Sequence, residues 1–330
     1  MPIQVNELSK HFKMFKREAG LSGAFHSFFN RKYETFHALK DISVQIEDGE
    51  ILGILGENGA GKTTLIKLLV GLLHPSSGGV NINGFTPWNR KSDFLKQISV
   101  VMGQKNQLWW DIPASESFLL NQKIYEIPEI QYKNTLNELV DLLSVQDKLN
   151  VQVRRLSLGE RMKMEIIAAL LHRPKIVLLD EPTIGLDVIS QLKIRDFVKY
   201  YNEKYKTTFL LTSHYMHDIQ ALCKRVFVIH KGASLYDGDF EKLVNRVNPK
   251  RKLIFEFSEI PDTNKTKILL KKYIFNLNDT ILHAELPDKE LTNLVSELFH
   301  LGIPASITME DLPVEDTMRS FFMAPEKFLE

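Results

Sequence analysis

Gly56-Glu57-Asn58-Gly59-Ala60-Gly61-Lys62-Thr63-Thr64 is the stretch on which the reading of this chain turns. It follows the apolar run Ile51-Leu52-Gly53-Ile54-Leu55 and precedes Leu65-Ile66-Lys67-Leu68-Leu69, so it reads as a strand, a glycine-rich turn and a helix start. The spacing G-x-x-x-x-G-K-[ST] lets successive backbone N–H groups curl around a polyphosphate. It also places Lys62 on the β/γ oxygens and offers the Thr63 hydroxyl to Mg²⁺. A nucleoside triphosphate, ATP or GTP, is the expected ligand of the whole cradle from Gly56 to Thr64.

With 330 residues, 44% hydrophobic and 25% charged, the chain can bury a full core and has room for more than one domain. A formal net charge of +1 gives no global basic field, and no nucleic-acid partner is expected. Cys223 is the single cysteine, which excludes an internal disulfide, and the start Met1-Pro2-Ile3-Gln4-Val5 lacks a charged region followed by an apolar signal stretch. A cytosolic compartment is expected. Apolar runs such as Ile166-Ile167-Ala168-Ala169-Leu170-Leu171 stop far short of the roughly 18 to 20 residues of a membrane helix. If the protein serves a membrane process, other chains must supply the spans.

Alternating polar and apolar residues predict strands over 3–8 and 38–46. Between them, residues 10–36 read as an insertion, whose stretch 10–32 carries Lys10, Lys13, Lys16, Arg17, Arg31 and Lys32 against the one acid Glu18. A short basic amphipathic helix is expected there. Its Phe25, Phe28 and Phe29 suit an anionic membrane surface, a partner's groove, or packing on the parent domain. Residues 115–150 read as helical, with Leu136, Leu139, Val140, Leu142 and Leu143 on one apolar face. Stretches 175–180 and 207–212 read as buried parallel strands flanking a helix over about 188–201. After a polar, proline-bearing junction at 246–251, the pattern becomes βαββαβ, as in ferredoxin-like domains. Its second helix, 288–301, aligns Leu291, Leu294, Val295, Leu298 and Phe299.

Two further segments carry chemistry. Ile176-Val177-Leu178-Leu179-Asp180-Glu181-Pro182 is an apolar strand ending in two carboxylates. Asp180 at the strand tip can hold Mg²⁺, usually through water, while Glu181 can polarise the water that attacks a γ-phosphate. In Leu156-Ser157-Leu158-Gly159-Glu160-Arg161, Ser157 and Glu160 form a capping box that opens a helix. The same geometry, a capped helix start beside a glycine, offers N–H groups and a hydroxyl to a phosphate.

Together these segments resemble the ABC ATPase family, over about residues 1–240. The resemblance implies an α/β fold, a P-loop ABC core over residues 1–245 with a helical subdomain inserted at about 105–165, and the βαββαβ pattern adds a small C-terminal α+β (ferredoxin-like) domain at 250–330. It further implies that Ser157 and Gly159 close on the γ-phosphate of ATP held by a partner subunit. Gln104 looks like the Q-loop glutamine near the metal, Gly185-Leu186-Asp187 like the D-loop, His214 like the switch histidine, and Phe12 like the aromatic that stacks on adenine. The expected ligands are ATP and Mg²⁺, the latter through Thr63, Gln104 and Asp180. Two positions depart from the family pattern: Leu158 replaces the usual glycine and Glu160 the usual glutamine. Hydrolysis is expected to survive both.

Tandem-cassette translation factors carry two phosphate loops and DNA-repair relatives carry long coiled coils or zinc hooks; this sequence has neither feature. The stretch Gln104-Lys105-Asn106-Gln107-Leu108-Trp109-Trp110-Asp111-Ile112-Pro113 looks like ATP-binding subunits of bacterial multidrug or antibiotic exporters. That likeness implies a homodimer or paired ATPase subunit at the cytoplasmic face of the membrane, docked on integral permease subunits. Non-transport regulators and importers are the rival members. Trp109 and Trp110 are then candidate partner contacts, or else they are buried in the helical subdomain.

Overall fold

The computed structural model describes residues 3–15, 33–103 and 106–328. Gln104 and residues 16–32, with Phe25, Phe28 and Phe29, lie outside them. The described chain forms two compact units, 1–239 and 240–330.

In the first unit, β1 (Ile3–Phe15) and β2 (Tyr33–Ile46) are long antiparallel partners, and β4 (Ser77–Ile82) pairs on the other side of β1. The sequence places residues 10–36 in an insertion, but its described flanks are strand. Phe12 pairs with Phe36 and Phe15 with Tyr33, so the ladder continues past the alternating cores of both strands. A second sheet, in the order β5-β6-β7-β3-β8-β9, holds β3 (Ile51–Leu55), β5 (Ile98–Met102), β6 (Ile176–Asp180), β7 (Thr208–Thr212), β8 (Arg225–His230) and β9 (Ala233–Asp239). The first five of these, from β5 across to β8, are parallel, and β9 closes the edge antiparallel.

Helix α1 (Lys62–Leu69) leaves the glycine-rich turn and is sealed into the core by Leu65, Ile66, Leu68 and Leu69, all at most 1% exposed. Eight residues cannot sustain a helix in water, whereas burying four such side chains stabilises by roughly 6 to 12 kcal/mol. The core around it draws on both sheets, from Ile3 and Val5 of β1 to Leu178 of β6 and Leu210 of β7. Packing, more than local propensity, therefore fixes the turn that precedes α1.

Helices α2 (Ser92–Leu95), α3 (Ala114–Ile124), α4 (Glu129–Leu143), α5 (Leu158–Leu170), α6 (Val188–Tyr205) and α7 (Met216–Leu222) complete this unit. The inward face of α4 is Tyr132, Thr135, Leu139, Val140 and Leu143, and Leu142 is exposed. That face is rotated from the leucine-rich one read from the sequence. Thr135 faces in because its hydroxyl accepts a hydrogen bond from Arg173 Nε at 3.0 Å.

The second unit begins with α8 (Phe240–Val247), earlier than the sequence junction suggests, because this amphipathic helix packs against the last helix of the same unit. Then follow β10 (Lys250–Phe257), α9 (Thr263–Leu269), β11 (Ile274–Asn278), β12 (Ile281–Pro287), α10 (Asp288–Phe299), β13 (Pro304–Asp311) and α11 (Val314–Met323). The sheet order β11-β12-β10-β13, antiparallel throughout, is that of a βαββαβ ferredoxin-like unit. Leu291, Leu294 and Leu298 of α10 join its core, while Phe299 is half exposed.

Candidate active site

The parallel sheet places three chemical segments side by side. The turn after β3 carries the phosphate loop, the tip of β6 carries Asp180 and Glu181, and the end of β7 leads into His214. All three lie at the carboxyl ends of neighbouring strands, where open α/β sheets bind their ligands.

Gly61 caps α1 at φ 114°, a left-handed conformation, and a Cβ there would lie 2.6 Å from the Ala38 carbonyl oxygen. Only glycine satisfies both constraints. Lys62 is buried, and its Nζ donates to the carbonyls of Gly56 at 2.7 Å and Glu57 at 3.1 Å, spanning the loop it follows. Burial lowers its pKa, against the opposing pull of Glu181, Asp180 and Glu57. An incoming polyphosphate would strengthen that pull and favour the ammonium form.

The Thr63 hydroxyl donates to Asp180 Oδ2 at 3.2 Å, and the Thr212 hydroxyl donates to Asp180 Oδ1 at 2.7 Å. Thr63 and Asp180 thus present two hard oxygen donors beside the phosphate loop, which suits Mg²⁺ bound partly by phosphate and water. Thr212 was not singled out from the sequence. Its signal is the register, since Asp180 pairs with Thr212 across β6 and β7.

Glu181 adopts φ +56°, a backbone conformation that costs a non-glycine residue energy and collects at functional sites. Its N–H is held by the Thr212 carbonyl at 3.0 Å and hydroxyl at 3.1 Å. Its Oε1 lies 2.7 Å from His214 Nε2. The segment leading to Gln104 is fixed nearby, because Gly103 N–H donates to the Asp180 carbonyl at 2.8 Å. Glu165, 3% exposed on α5, accepts from the N–H groups of Gln107 and Leu108 and so anchors the far side of that segment. Sequence reading missed it, since a single acid inside a helix carries no signal of its partner.

Ser157 is the N-cap of α5. Glu160 N–H donates to its hydroxyl oxygen at 3.2 Å, and Ser157 N–H donates to Glu160 Oε2 at 2.9 Å. Glu160 Oε1 lies 3.3 Å from Lys148 Nζ. The Ser157 N–H, aided by Lys148, holds the Glu160 carboxyl below its usual range. The extra negative charge at this position is thereby tied into the cap. Replacing Ser157 with alanine is expected to cost about 1 kcal/mol of stability. An unchanged urea midpoint would show that the cap contributes nothing.

Gly159 lies against the start of α6, where a Cβ would sit 2.4 Å from Ser190 Oγ. Asp187 is the N-cap of α6 and accepts from Ser190 Oγ at 2.7 Å and Ser190 N–H at 2.9 Å; those bonds hold its carboxyl below the usual range. Leu158 Cδ2 borders Gly185, so the side chain that replaces the family's glycine rests on the turn before α6. The Ser157–Gly159 loop and the Gly185–Asp187 turn are thus packed together within one chain.

Phe12 is half buried on β1, with Lys10 Nζ 5.1 Å above its ring. Trp109 and Trp110 are 61% and 44% exposed, which removes burial as their explanation, although Arg161 lies 5.2 Å over the Trp110 ring.

A family profile described as "ABC transporter" matches residues 39–184. The chain is 37% identical to the ABC transporter ATP-binding protein NatA of Bacillus subtilis over 65% of this chain and 87% of that protein. It is 31% identical to the bacitracin transport ATP-binding protein BcrA of Bacillus licheniformis over 77% of this chain and 80% of that one. The methionine import ATP-binding protein MetN 2 of Bacillus cereus is 30% identical over 72% and 71%. Among solved structures, a dimeric post-hydrolysis state of the ATP-binding cassette MJ0796 bound to ADP and Pi superposes with a TM-score of 0.60 at 23% identity, over 72% of this chain and 98% of that one. The chain belongs to the ABC transporter ATP-binding family: it is an ATP-binding, ATP-hydrolysing transporter subunit with the fold of an ABC cassette.

Proposed function

We propose that this chain drives export: two cassettes sandwich two ATP molecules, and their closure and reopening move separate membrane permease subunits. The observation that carries the hydrolytic half is the 2.7 Å contact between Glu181 and His214, placed beside Asp180, Thr63 and the phosphate loop. Phe12 would stack on adenine. Lys62 and the loop N–H groups from Gly56 to Thr64 would hold the phosphates. Ser157, Gly159 and Asp187 would complete the site of the opposite subunit.

Glu181 orients the attacking water and takes its proton, and His214 bridges Glu181 and the γ-phosphate, holding the carboxylate in line. Thr63, Asp180 and Gln104 would hold Mg²⁺, which supplies charge neutralisation across the phosphates when bound. None of the helices among the described residues is long and apolar enough to cross a membrane.

The export reading rests on the likeness of the Gln104–Pro113 stretch to exporter ATPases; likeness to the bacitracin transport protein BcrA supports transport, and the exposed Trp109-Trp110 pair suits a partner contact. Likeness to MetN 2 supports the importer reading. Purification of the tagged chain from detergent-solubilised membranes separates the two. A polytopic partner alone is the expected result. A polytopic partner with an extracytoplasmic solute-binding protein would make it an importer, and only soluble partners would remove the transport coupling.

A further inference from the structure

Asp218 of α7 is 1% exposed, yet it touches neither the phosphate loop nor the Mg²⁺ oxygens. Its Oδ2 accepts two hydroxyl hydrogen bonds, one from Thr183 and one from Ser213 at 2.8 Å. Thr183 and Ser213 are themselves 2% and 4% exposed, so no water substitutes for these bonds. Asp218 Oδ1 has no hydrogen bond and faces Arg195 Nε of α6 at 3.5 Å.

The positions of those partners give the carboxylate its meaning. Thr183 stands two residues after Glu181, and its carbonyl accepts from Leu186 N–H at 3.2 Å, closing the turn that leads to Asp187. Ser213 immediately precedes His214, and its hydroxyl oxygen accepts from Tyr215 N–H at 3.0 Å, so the backbone on both sides of His214 is fixed. One buried carboxylate thus links the Glu181 segment, the His214 segment and α6.

We propose that Asp218 is a positioning residue for hydrolysis: through Thr183 and Ser213 it holds Glu181 and His214 at their 2.7 Å contact and keeps the adjoining D-loop turn in step with them. The proposal rests on the assignment of Glu181 and His214 as the hydrolytic pair. Carboxylate chemistry is required, because an amide at 218 turns one of its two acceptor oxygens into a donor, which would face Arg195.

The test is steady-state ATP hydrolysis by the purified chain, with ATP affinity and thermal unfolding measured alongside. Asp218→Asn, Thr183→Val and Ser213→Ala are each expected to lower kcat, by up to roughly 10²-fold for Asp218→Asn, since a misplacement near 1 Å has that effect. KM for ATP should stay within about twofold, because the phosphate loop is untouched. Thr183→Ser, which keeps the hydroxyl, should restore the rate. In a His214→Ala background, Asp218→Asn should cost little more, because its effect passes through the same pair. An undiminished kcat in all three single variants would overturn the proposal, as would a full extra loss on top of His214→Ala. The two hydroxyl deletions decide the matter if Asp218→Asn does not fold. Normal turnover by His214→Ala itself would instead overturn the assignment of the pair, and the positioning role with it.

Discussion

Glu181→Gln is expected to bind ATP with unchanged affinity and to hydrolyse it at least roughly 10² to 10⁴ times more slowly, the range of general-base assistance. The amide is nearly isosteric and can still accept a hydrogen bond, so water can be oriented but not deprotonated. The backbone of residue 181 should hold its left-handed conformation, because the two Thr212 bonds act on the N–H and not on the side chain. The His214 contact at 2.7 Å is then made by an amide in place of a carboxylate. With hydrolysis blocked, ATP should accumulate on the protein and the closed dimer should persist in size-exclusion chromatography. Wild-type turnover would show that another group takes the proton, and a strictly monomeric ATP-bound variant would remove the sandwich.

Lys62→Ala is expected to weaken ATP binding by roughly 10²- to 10³-fold, in keeping with the 2 to 5 kcal/mol lost when one member of a buried charge pair is truncated. Two effects combine. The phosphates lose their cationic partner, and the carbonyls of Gly56 and Glu57 lose the ammonium that bridges them, so the loop itself loosens. Helix α1 should persist, since its burial does not involve the Lys62 charge. Isothermal titration with a non-hydrolysed ATP analogue measures the loss, with circular dichroism as the folding control. Full affinity would contradict the phosphate-loop assignment.

The sequence was most legible where function is written in contiguous residues. The phosphate loop needs its glycines, Lys62 and Thr63 at fixed offsets, and the strand ending in Asp180-Glu181 is continuous as well. The βαββαβ order of the second unit was also readable, because alternation and helical period switch cleanly from segment to segment. At residues 10–15 and 33–36 strand pairing extends beyond the alternating stretches 3–8 and 38–46 that local pattern reads as strands. Local pattern misled on α4, whose inward face is set partly by the bond between Thr135 and Arg173 and not by the densest row of leucines.

By itself, then, the amino-acid order determined where a glycine-rich turn with Lys62 and Thr63, a strand ending in Asp180-Glu181 and a capped helix start lie in this chain, since each is encoded within a few neighbouring residues. Tertiary structure alone decided that Thr212 braces Asp180, that Glu165 anchors the segment after Gln104, and that Asp218 joins the Glu181 and His214 loops. Apart from the local Ser213–Asp218 bond, those contacts span 32, 58 and 35 positions of chain. A hydroxyl or carboxylate buried at such a distance leaves no periodic or compositional trace, because its partner is chosen by strand register and helix packing and not by its neighbours in sequence.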